Sequence, residues 1–282
     1  MTGPPPALRG LAERHLGSCR LVALPGGDRP GQRVARFRAA DGREYIAKQH
    51  LAAEKHRREV HAYRRWAPAL GANAPQLLAA DQATMTVLIT ALPGQPVDGA
   101  GDAASHRQAG VLLRSFHDAE PLWPLDGFQY WLASHISRWR EQCLPLLSAR
   151  ERQVIDQHLA TLHGLGAPLG GPCHLDYQPR NWVTDHAGTL GVIDFEHARI
   201  DLQARDLVRL YFRCWPSYPG LREAFLDGYG RPLTDQEDQW IRCCGAIDVL
   251  TALVRGAQAD DAAMTANGRA TLRQLSGGRP DA

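Results

Sequence analysis

The chain has 282 residues, of which 44% are hydrophobic and 22% are charged. This is the composition of an ordinary globular protein, and it excludes a disordered chain, a collagen-like repeat and a disulfide scaffold. The length suits one large domain or two smaller ones. The formal net charge is only +2, which does not indicate a nucleic-acid or membrane-surface partner.

Charge is distributed unevenly along the chain. Residues 1–93 contain 14 Lys and Arg against 7 Asp and Glu, whereas the remainder contains 18 against 23. A basic first third suits a segment that binds a polyanion, although uneven surface charge is also common without such a role. Lys48 and Lys55 are the only lysines, so a lysine is exceptional in this arginine-rich sequence.

Three further features concern the compartment. No apolar run approaches the roughly 18 residues that span a bilayer, and residues 1–10 are rich in proline and lack the apolar core of a signal peptide. The six cysteines form no Cys-x-x-Cys pair and indicate reduced thiols. We therefore expect a cytoplasmic protein without nucleic-acid or membrane partners, as a monomer or homodimer.

The first third of the chain alternates between short strand patterns and helical ones. In chain order we predict a helix at 8–16, strands at 21–24, 34–37 and 44–48, a helix at 51–66, and strands at 77–79 and 85–89. The dipeptide Asp41-Gly42 is a strong hairpin signal between the second and third strands. Five strands with one main helix among them predict a small antiparallel lobe.

Helical periods dominate the rest of the chain. We predict helices at 104–116, 128–147 and 152–165, a strand-rich segment at 173–193, and helical structure from Asp206 onward. The change from a β-rich to a helical pattern coincides with the change in charge. We therefore predict a bilobal α+β fold, with an N-terminal lobe at 1–92 and a C-terminal lobe at 93–282.

The most informative segment lies between His174 and Glu196. Residues 182–184 and 190–193 are two apolar stretches joined by a turn that contains Asp and Gly, which predicts a short β-hairpin. Asn181 precedes the first strand and Asp194 follows the second, so we expect their side chains to converge. Asp176 stands five residues before Asn181 and is expected near the same point. Amide and carboxylate oxygens are ligands that suit Mg²⁺.

This segment resembles the catalytic and metal-binding loops of the aminoglycoside phosphotransferases and their kinase-like relatives. The resemblance rests on His174-Leu175-Asp176, on Asn181 and on Ile193-Asp194-Phe195-Glu196. Protein kinases share the order of a catalytic Asp, a downstream Asn and the Asp of a metal loop. His-Leu-Asp and Asp-Phe-Glu differ from the protein-kinase motifs and suit the small-molecule branch.

The resemblance implies roles for residues of the first lobe. Tyr45-Ile46-Ala47-Lys48 resembles the kinase strand motif whose lysine binds the nucleotide phosphates. Its acidic partner on the following helix is best matched by Glu59, with Glu54 as the alternative. The loop 26–31, including Gly27, is placed where a phosphate-covering loop belongs, but it does not fit the pattern G-x-G-x-x-G and suits a plain turn equally well. The backbone of residues 90–92, at Thr90 and Leu92, is placed where adenine binds.

The resemblance also implies roles in the second lobe. Asp176 is expected to orient the acceptor hydroxyl and accept its proton, while Asn181 and Asp194 hold Mg²⁺. His174 is expected to brace the catalytic loop, and Asp206 to bind the backbone of that loop. Arg180 suits either the γ-phosphate or a salt bridge with a neighbouring acid.

The substrate site is expected against the helical lobe, in a segment rich in aromatic side chains. Aromatic faces suit sugar rings, heterocycles and cations, but they suit core packing equally well. The candidate substrate residues are Trp123, Tyr130, Trp131 and Glu196.

The resulting functional prediction is an ATP-dependent O-phosphotransferase, with GTP as a possible alternative donor, that inactivates an antibiotic of the aminoglycoside, nucleoside or peptide type. A metabolic kinase for a small alcohol, sugar or amino alcohol is the first alternative. A catalytically silent, kinase-like module that binds nucleotide and regulates a partner is the second.

Overall fold

The computed structural model of the chain describes residues 3–25 and 33–277. The chain forms two compact units. Unit 1 comprises Met1–Gly101, Leu112–Ala119 and Pro179–Arg199, and unit 2 comprises Asp102–Val111, Glu120–Gln178 and Ile200–Ala282. Residues 179–199 therefore group with the β-rich first part of the chain, although the sequence-based division places them in the C-terminal lobe. The division at residue 92 remains a prediction.

The first part of unit 1 is a helix followed by an antiparallel sheet. Its elements are α1 (Pro6–Leu16), β1 (Cys19–Ala23), β2 (Val34–Ala39), β3 (Glu44–Gln49), α2 (Ala53–Arg65), β4 (Leu77–Asp81) and β5 (Thr86–Thr90). Within the described residues the sheet has five strands in the order β1-β2-β3-β5-β4. The predicted five-stranded antiparallel arrangement with one intervening helix is confirmed.

The side chains of the sheet alternate between two faces, as the period of two requires. On one face, Phe37 and Ala47 are buried in a cluster that also contains Leu8 and Leu11 of α1. The alternation places Lys48 on the opposite face of β3 from Ala47. The lysine therefore points away from the core that α1 covers.

The remaining elements complete both units. In chain order they are β6 (Gln95–Pro96), α3 (Ala103–His117), β7 (Trp123–Pro124), α4 (Phe128–Cys143), α5 (Ala149–Gly164), β8 (Leu169–Cys173), β9 (Trp182–Thr184), β10 (Leu190–Val192), β11 (Arg199–Asp201), α6 (Pro219–Tyr229), α7 (Asp235–Ala259) and α8 (Ala262–Leu275). Strands β9 and β10 form the predicted hairpin, and β6 pairs with β9. In the described chain a further small sheet has the order β11-β8-β7.

Helices α4, α5, α7 and α8 pack on one another in unit 2. Phe128 of α4 and Trp240 of α7 meet edge to face, with ring centroids 5.9 Å apart. Gly268 allows α8 to approach α7 closely, because an added Cβ at this position would lie 3.1 Å from the Leu253 side chain of α7. No helix in the described ranges is long and apolar enough to cross a membrane.

The chain between Gln203 and Ser217 departs from the regular helix that the sequence pattern predicts. It contains a 3-10 turn at Gln203–Leu207, a π-helical turn at Leu210–Cys214 and a 3-10 turn at Trp215–Ser217. Pro216 lacks a backbone N–H, so a regular α-helix cannot continue through it. The Phe212 ring also packs within 2.3 Å of the position that a Cβ on Gly245 would occupy.

Candidate functional site

Lys48 is the centre of an ion cluster in unit 1. Its ammonium nitrogen lies 3.3 Å from Glu59 Oε2, 2.5 Å from Asp194 Oδ1 and 2.9 Å from Glu196 Oε2. The Lys48 side chain is 16% exposed and that of Glu59 is 1% exposed. Strand β3 supplies the lysine, α2 supplies Glu59, and the segment after β10 supplies the other two carboxylates.

The partner of Lys48 on helix α2 is Glu59. Glu54, the alternative partner, forms an ion pair with Arg58 one helical turn later, and its side chain is 61% exposed. Glu59 is buried because its position on α2 faces the sheet. A short separation of 11 residues between the lysine and its acid is therefore sufficient for contact.

Two residues of the cluster were missing from the sequence analysis. Lys55 Nζ lies 2.6 Å from Glu196 Oε1, so both lysines of the chain contact Glu196. His50 Nε2 lies 2.6 Å from Glu59 Oε2 and its imidazole is buried. The position of His50 two residues after Lys48 could have identified it, since residues i and i+2 share one face of a strand.

Mutual attraction keeps the members of the cluster charged. Burial alone would lower the pKa of Lys48, but Glu59, Asp194 and Glu196 raise it above its ordinary value. Burial would raise the pKa of Glu59, but Lys48 and His50 hold it below its usual range. The neighbouring imidazoles of His197 and His50, together with Lys48, lower the pKa of Glu196. The site thus presents a permanently charged ammonium surrounded by carboxylates.

The β9–β10 hairpin places Asn181 and Asp194 at the same end of unit 1. The Ile193 N–H donates a hydrogen bond to the Asn181 carbonyl at 3.0 Å, which closes the hairpin between the two residues. Asn181 is 6% exposed. Asp194 has a φ of 69°, a left-handed conformation that costs energy for any residue other than glycine. Backbone strain of this kind is concentrated at functional sites.

The oxygen donors at this end of the hairpin fit a hard divalent cation. Asp194 offers a carboxylate and Asn181 an amide oxygen, and Mg²⁺ takes few protein ligands of this type and retains several waters. The Asp194 side chain is 34% exposed while its Oδ1 accepts from Lys48. This donor set suits a metal that is shared with a phosphate ligand.

Unit 2 contains the predicted catalytic loop, and Asp206 holds its backbone. Asp206 Oδ2 accepts a hydrogen bond from the His174 N–H at 2.8 Å, and Oδ1 accepts one from the Leu175 N–H. Leu175 has a φ of 61°. His174 is buried and packs edge to face on Tyr177 with centroids 5.6 Å apart. The loop is therefore fixed in a strained conformation by a buried carboxylate.

Asp176 is 3% exposed and receives two side-chain donors on one oxygen. Gln178 Nε2 donates to Asp176 Oδ1 at 2.5 Å, and Arg209 Nη1 donates to the same atom. Arg209 also donates to the Leu175 carbonyl at 2.9 Å. The sequence analysis missed Arg209, which lies 33 residues from Asp176, because no local pattern reports a contact of that range.

The convergence of Asp176 with Asn181 and Asp194 remains a prediction, since Asp176 belongs to unit 2 and the other two to unit 1. Arg180 is exposed. Gly27 and the rest of the predicted phosphate-covering loop lie outside the described residues, which end at Pro25 on this side of the loop.

The segment at the end of β5 has part of its backbone in use. The Thr90 N–H donates to the Gln76 carbonyl and the Ala91 N–H donates to the Glu44 carbonyl, both at 2.9 Å. Leu92 packs over the hairpin where Gly191 leaves room, because a Cβ there would lie 2.5 Å from Leu92 Cδ1. The linker is therefore seated directly on the hairpin.

The aromatic candidates for substrate binding lie in unit 2 and are exposed. Trp123, Tyr130 and Trp131 are 54%, 65% and 48% exposed, which differs from core packing. Trp131 stacks on His135 with ring centroids 5.6 Å apart. Glu196, which the sequence analysis grouped with them, lies in the Lys48 cluster of unit 1.

The sequence has a match that decides its family. Residues 29–240 match the phosphotransferase enzyme family, APH. The chain belongs to this phosphotransferase family. The resemblance stated from the sequence motifs is thereby confirmed, and the protein is a small-molecule phosphotransferase that acts on hydroxyl groups.

Solved structures of similar fold cover nearly the whole APH chain. A GDP complex of aminoglycoside 2'-phosphotransferase-IIIa is 16% identical with a TM-score of 0.69, covering 96% of each chain. Choline kinase LicA from Streptococcus pneumoniae is 17% identical with a TM-score of 0.70, covering 96% of this chain and 98% of that one. Macrolide 2'-phosphotransferase MphH from Brachybacterium faecium is 18% identical with a TM-score of 0.58, covering 94% and 96%.

These similarities confirm the predicted α+β fold of the protein-kinase-like class. No curated protein matches the sequence of the chain. At 16–18% sequence identity the structural neighbours establish the fold and do not establish which molecule accepts the phosphate.

Proposed function

We propose that the protein transfers the γ-phosphate of ATP to a hydroxyl group of a small-molecule antibiotic and thereby inactivates it. The ion cluster of Lys48 with Glu59 and Asp194 is the observation that carries the nucleotide part of this proposal. Membership of the phosphotransferase family supports the reaction class.

The nucleotide is assigned to unit 1. The Lys48 ammonium is the cation for the α- and β-phosphates, and Glu59 fixes its position from α2. The N–H groups of Thr90 and Ala91 already donate hydrogen bonds to other parts of the backbone. We therefore assign to the N–H of Leu92 the main-chain hydrogen bond that recognises the base. GTP remains the alternative donor, and the aminoglycoside 2'-phosphotransferase-IIIa neighbour was solved with GDP.

Asn181 and Asp194 are the residues that would hold Mg²⁺. A bound magnesium ion neutralises charge on the phosphate oxygens. The Asp194 carboxylate can serve such an ion while it also accepts from Lys48, because a carboxylate has two oxygens and about four acceptor sites. Asp194 thereby ties the lysine and the metal position to one side chain.

Asp176 is assigned as the residue that orients the acceptor hydroxyl and receives its proton. Phosphoryl transfer has a loose transition state, so positioning contributes more than basicity. The donors Gln178 and Arg209 fix the Asp176 carboxylate through Oδ1. Asp206 fixes the backbone on which Asp176 stands. His174 supports this loop by accepting from the Asp176 N–H at 3.3 Å.

The antibiotic assignment is supported by the mild acidity of residues 94–282 and by the exposed aromatic side chains. Excess carboxylates suit a cationic drug, and the faces of Trp123, Tyr130 and Trp131 suit sugar rings and heterocycles. Neighbours of the same fold include aminoglycoside and macrolide phosphotransferases. Because the donor is an intracellular nucleotide, we assign the protein to the cytoplasm.

A metabolic kinase for a small alcohol or amino alcohol is the second candidate. The choline kinase neighbour has a TM-score of 0.70, as high as that of the aminoglycoside enzyme. Exposed tryptophan and tyrosine rings also bind quaternary ammonium groups by cation–π attraction. The same side chains therefore serve both candidates.

A coupled ADP-release assay across aminoglycosides, macrolides, nucleoside and peptide antibiotics, sugars and amino alcohols tests these assignments. We expect stimulation by one class of antibiotic. Stimulation only by an amino alcohol or a sugar would replace the antibiotic assignment with the metabolic one. Binding of Mg·ATP without stimulation by any compound would contradict both and favour a regulatory module.

A further inference from the structure

His50 completes a closed ring of alternating charges with Lys48 and two carboxylates. Glu59 Oε2 lies 3.3 Å from Lys48 Nζ and 2.6 Å from His50 Nε2. Glu196 Oε2 lies 2.9 Å from Lys48 Nζ and 3.6 Å from His50 Nδ1. The lysine and the histidine thus share the same two oxygen atoms.

We propose that His50 is a positioning residue for the nucleotide, and that its imidazole is the protonated cation that holds Glu59 and Glu196 in place around Lys48. This inference rests on the proposed nucleotide role of Lys48. It adds a residue that contacts neither nucleotide nor acceptor and acts through the two carboxylates.

The position of His50 between two carboxylates favours the doubly protonated ring. A neutral imidazole has one N–H and one lone pair, whereas the imidazolium has two N–H groups. Each nitrogen of His50 has a carboxylate oxygen as a neighbour, so the positive charge of the imidazolium, which is spread over both nitrogens, attracts both carboxylates, whereas a neutral ring offers them no charge. The N–H directions are not aligned for hydrogen bonds, which leaves charge attraction as the main contribution of the imidazole.

The charge balance of the cluster supports the same state. Among the described residues, the carboxylates of Glu59, Asp194 and Glu196 contact Lys48, and Lys55 is a second ammonium on Glu196. Apart from the exposed imidazole of His197, which lies 3.4 Å from Glu196 Oε1, three negative charges therefore meet two positive ones when His50 is neutral. Protonation of His50 balances the cluster, which matters because an uncompensated buried charge is costly.

The groups that face His50 come from three parts of unit 1. Lys48 lies on β3, which ends one residue before His50. Glu59 and His56 face His50 from α2, and Glu196 faces it from the segment after β10. Burial would lower the pKa of His50, but Glu196 and Glu59 raise it above the ordinary value of 6.5. The positive charge of His50 therefore persists to a higher pH than in an ordinary histidine and is lost as the pH rises through the raised pKa.

The consequence concerns the affinity for nucleotide. With His50 neutral, Glu59 and Glu196 repel one another and both draw on the Lys48 ammonium, which is then less available to phosphates. With His50 charged, each carboxylate has a second cation, and Lys48 keeps one position. Nucleotide binding should therefore weaken at alkaline pH, at values below about 10.4, the ordinary pKa of a lysine.

The first test is an NMR titration of the histidine ring signals in the wild-type protein, with His50 assigned from the spectrum of the His50→Gln variant. We expect the His50 ring to have the nitrogen shifts of an imidazolium at about pH 7, above the ordinary value for histidine. A neutral tautomer at that pH would overturn the proposal. This result does not depend on the nature of the acceptor or on nucleotide binding.

The second test measures Mg·ATP binding by titration calorimetry at about pH 7 and about pH 9. For the wild-type protein we expect the Kd to rise about tenfold with pH, the scale of one charge-assisted contact. His50→Gln should bind weakly at both pH values, while the control His61→Gln, on the exposed side of α2, should retain the wild-type profile. A wild-type pH dependence in His50→Gln would contradict the proposal, whereas absence of Mg·ATP binding in the wild type would contradict the proposed function itself.

Discussion

Replacement of Asp206 should destabilise the catalytic loop and the protein as a whole. Its carboxylate is 2% exposed and accepts from the backbone N–H groups of His174 and Leu175. Asp206→Ala leaves two buried donors without that acceptor. A hydrogen bond to a charged group contributes about 1.5–3 kcal/mol, so the two together correspond to about 3–6 kcal/mol.

The conformation of Leu175 adds to this dependence. A left-handed residue other than glycine costs about 1–2 kcal/mol, and Leu175 has a φ of 61°. The two hydrogen bonds to Asp206 hold Leu175 in this conformation. Without them the catalytic loop should relax to an unstrained backbone, and Asp176 should move from its position. We therefore expect Asp206→Ala to lose phosphoryl transfer as well as stability.

Urea denaturation followed by circular dichroism measures the change in the free energy of unfolding. Asp206→Asn should lie between the wild type and Asp206→Ala, because an amide keeps one acceptor oxygen but turns an NH₂ group toward the second donor. Asp227→Ala is the matched control, since the Asp227 side chain is 69% exposed and its ion pair with Arg107, at 3.4 Å, lies on the surface, where such pairs contribute little to stability. An Asp206→Ala protein within about 0.5 kcal/mol of the wild type, the range of a surface substitution, would refute the reasoning.

Two further predictions concern unit 1 and helix α7. An alanine Cβ at Gly191 would lie 2.9 Å from the Asn73 carbonyl oxygen, so Gly191→Ala should lower the free energy of unfolding by about 1–3 kcal/mol, measured by urea denaturation. Gly220→Ala is the control and should not lower it, because the space around the added atom is open. Equal stabilities of the two variants would contradict the packing argument. Burial raises the pKa of Glu237, but Arg231 and the helix cap lower it by more, so the pKa in the folded protein lies below its usual value. The ionised Glu237 side chain therefore stabilises the fold at pH values above its pKa in the unfolded chain. This stabilisation is lost as the pH falls through its pKa in the folded protein. Glu237→Gln should therefore be less stable at neutral pH by about 1 kcal/mol and should lose part of the acid-induced destabilisation; a Tm-versus-pH curve parallel to that of the wild type would refute this.

Local signals in the sequence predicted most of the fold. The alternation in β2 and β3 and the Asp41-Gly42 turn define their hairpin, in which Val34 pairs with Lys48. The apolar–turn–apolar pattern similarly predicted β9 and β10. Such patterns succeed because strand alternation and turn chemistry act between neighbours in the chain.

Contacts between distant segments were less accessible from the sequence. Glu196 lies 141 residues from Lys55, and its role in the ion cluster follows from the contacts that the segment after β10 makes with β3 and α2. Arg209 reaches Asp176 from an irregular turn that the helical pattern concealed. Charged side chains carry no periodic signal, so partner choice among them is decided by tertiary structure.

The central claim is that the Lys48 cluster binds the nucleotide and that Asp176 acts on the acceptor. Calorimetric titration of Mg·ATP into Lys48→Met and Asp176→Asn tests it most directly. Lys48→Met should bind at least about tenfold more weakly than the wild type, the scale of a lost charged contact. Asp176→Asn should bind like the wild type. Unchanged binding by Lys48→Met, or equal loss in both variants, would contradict the division of roles.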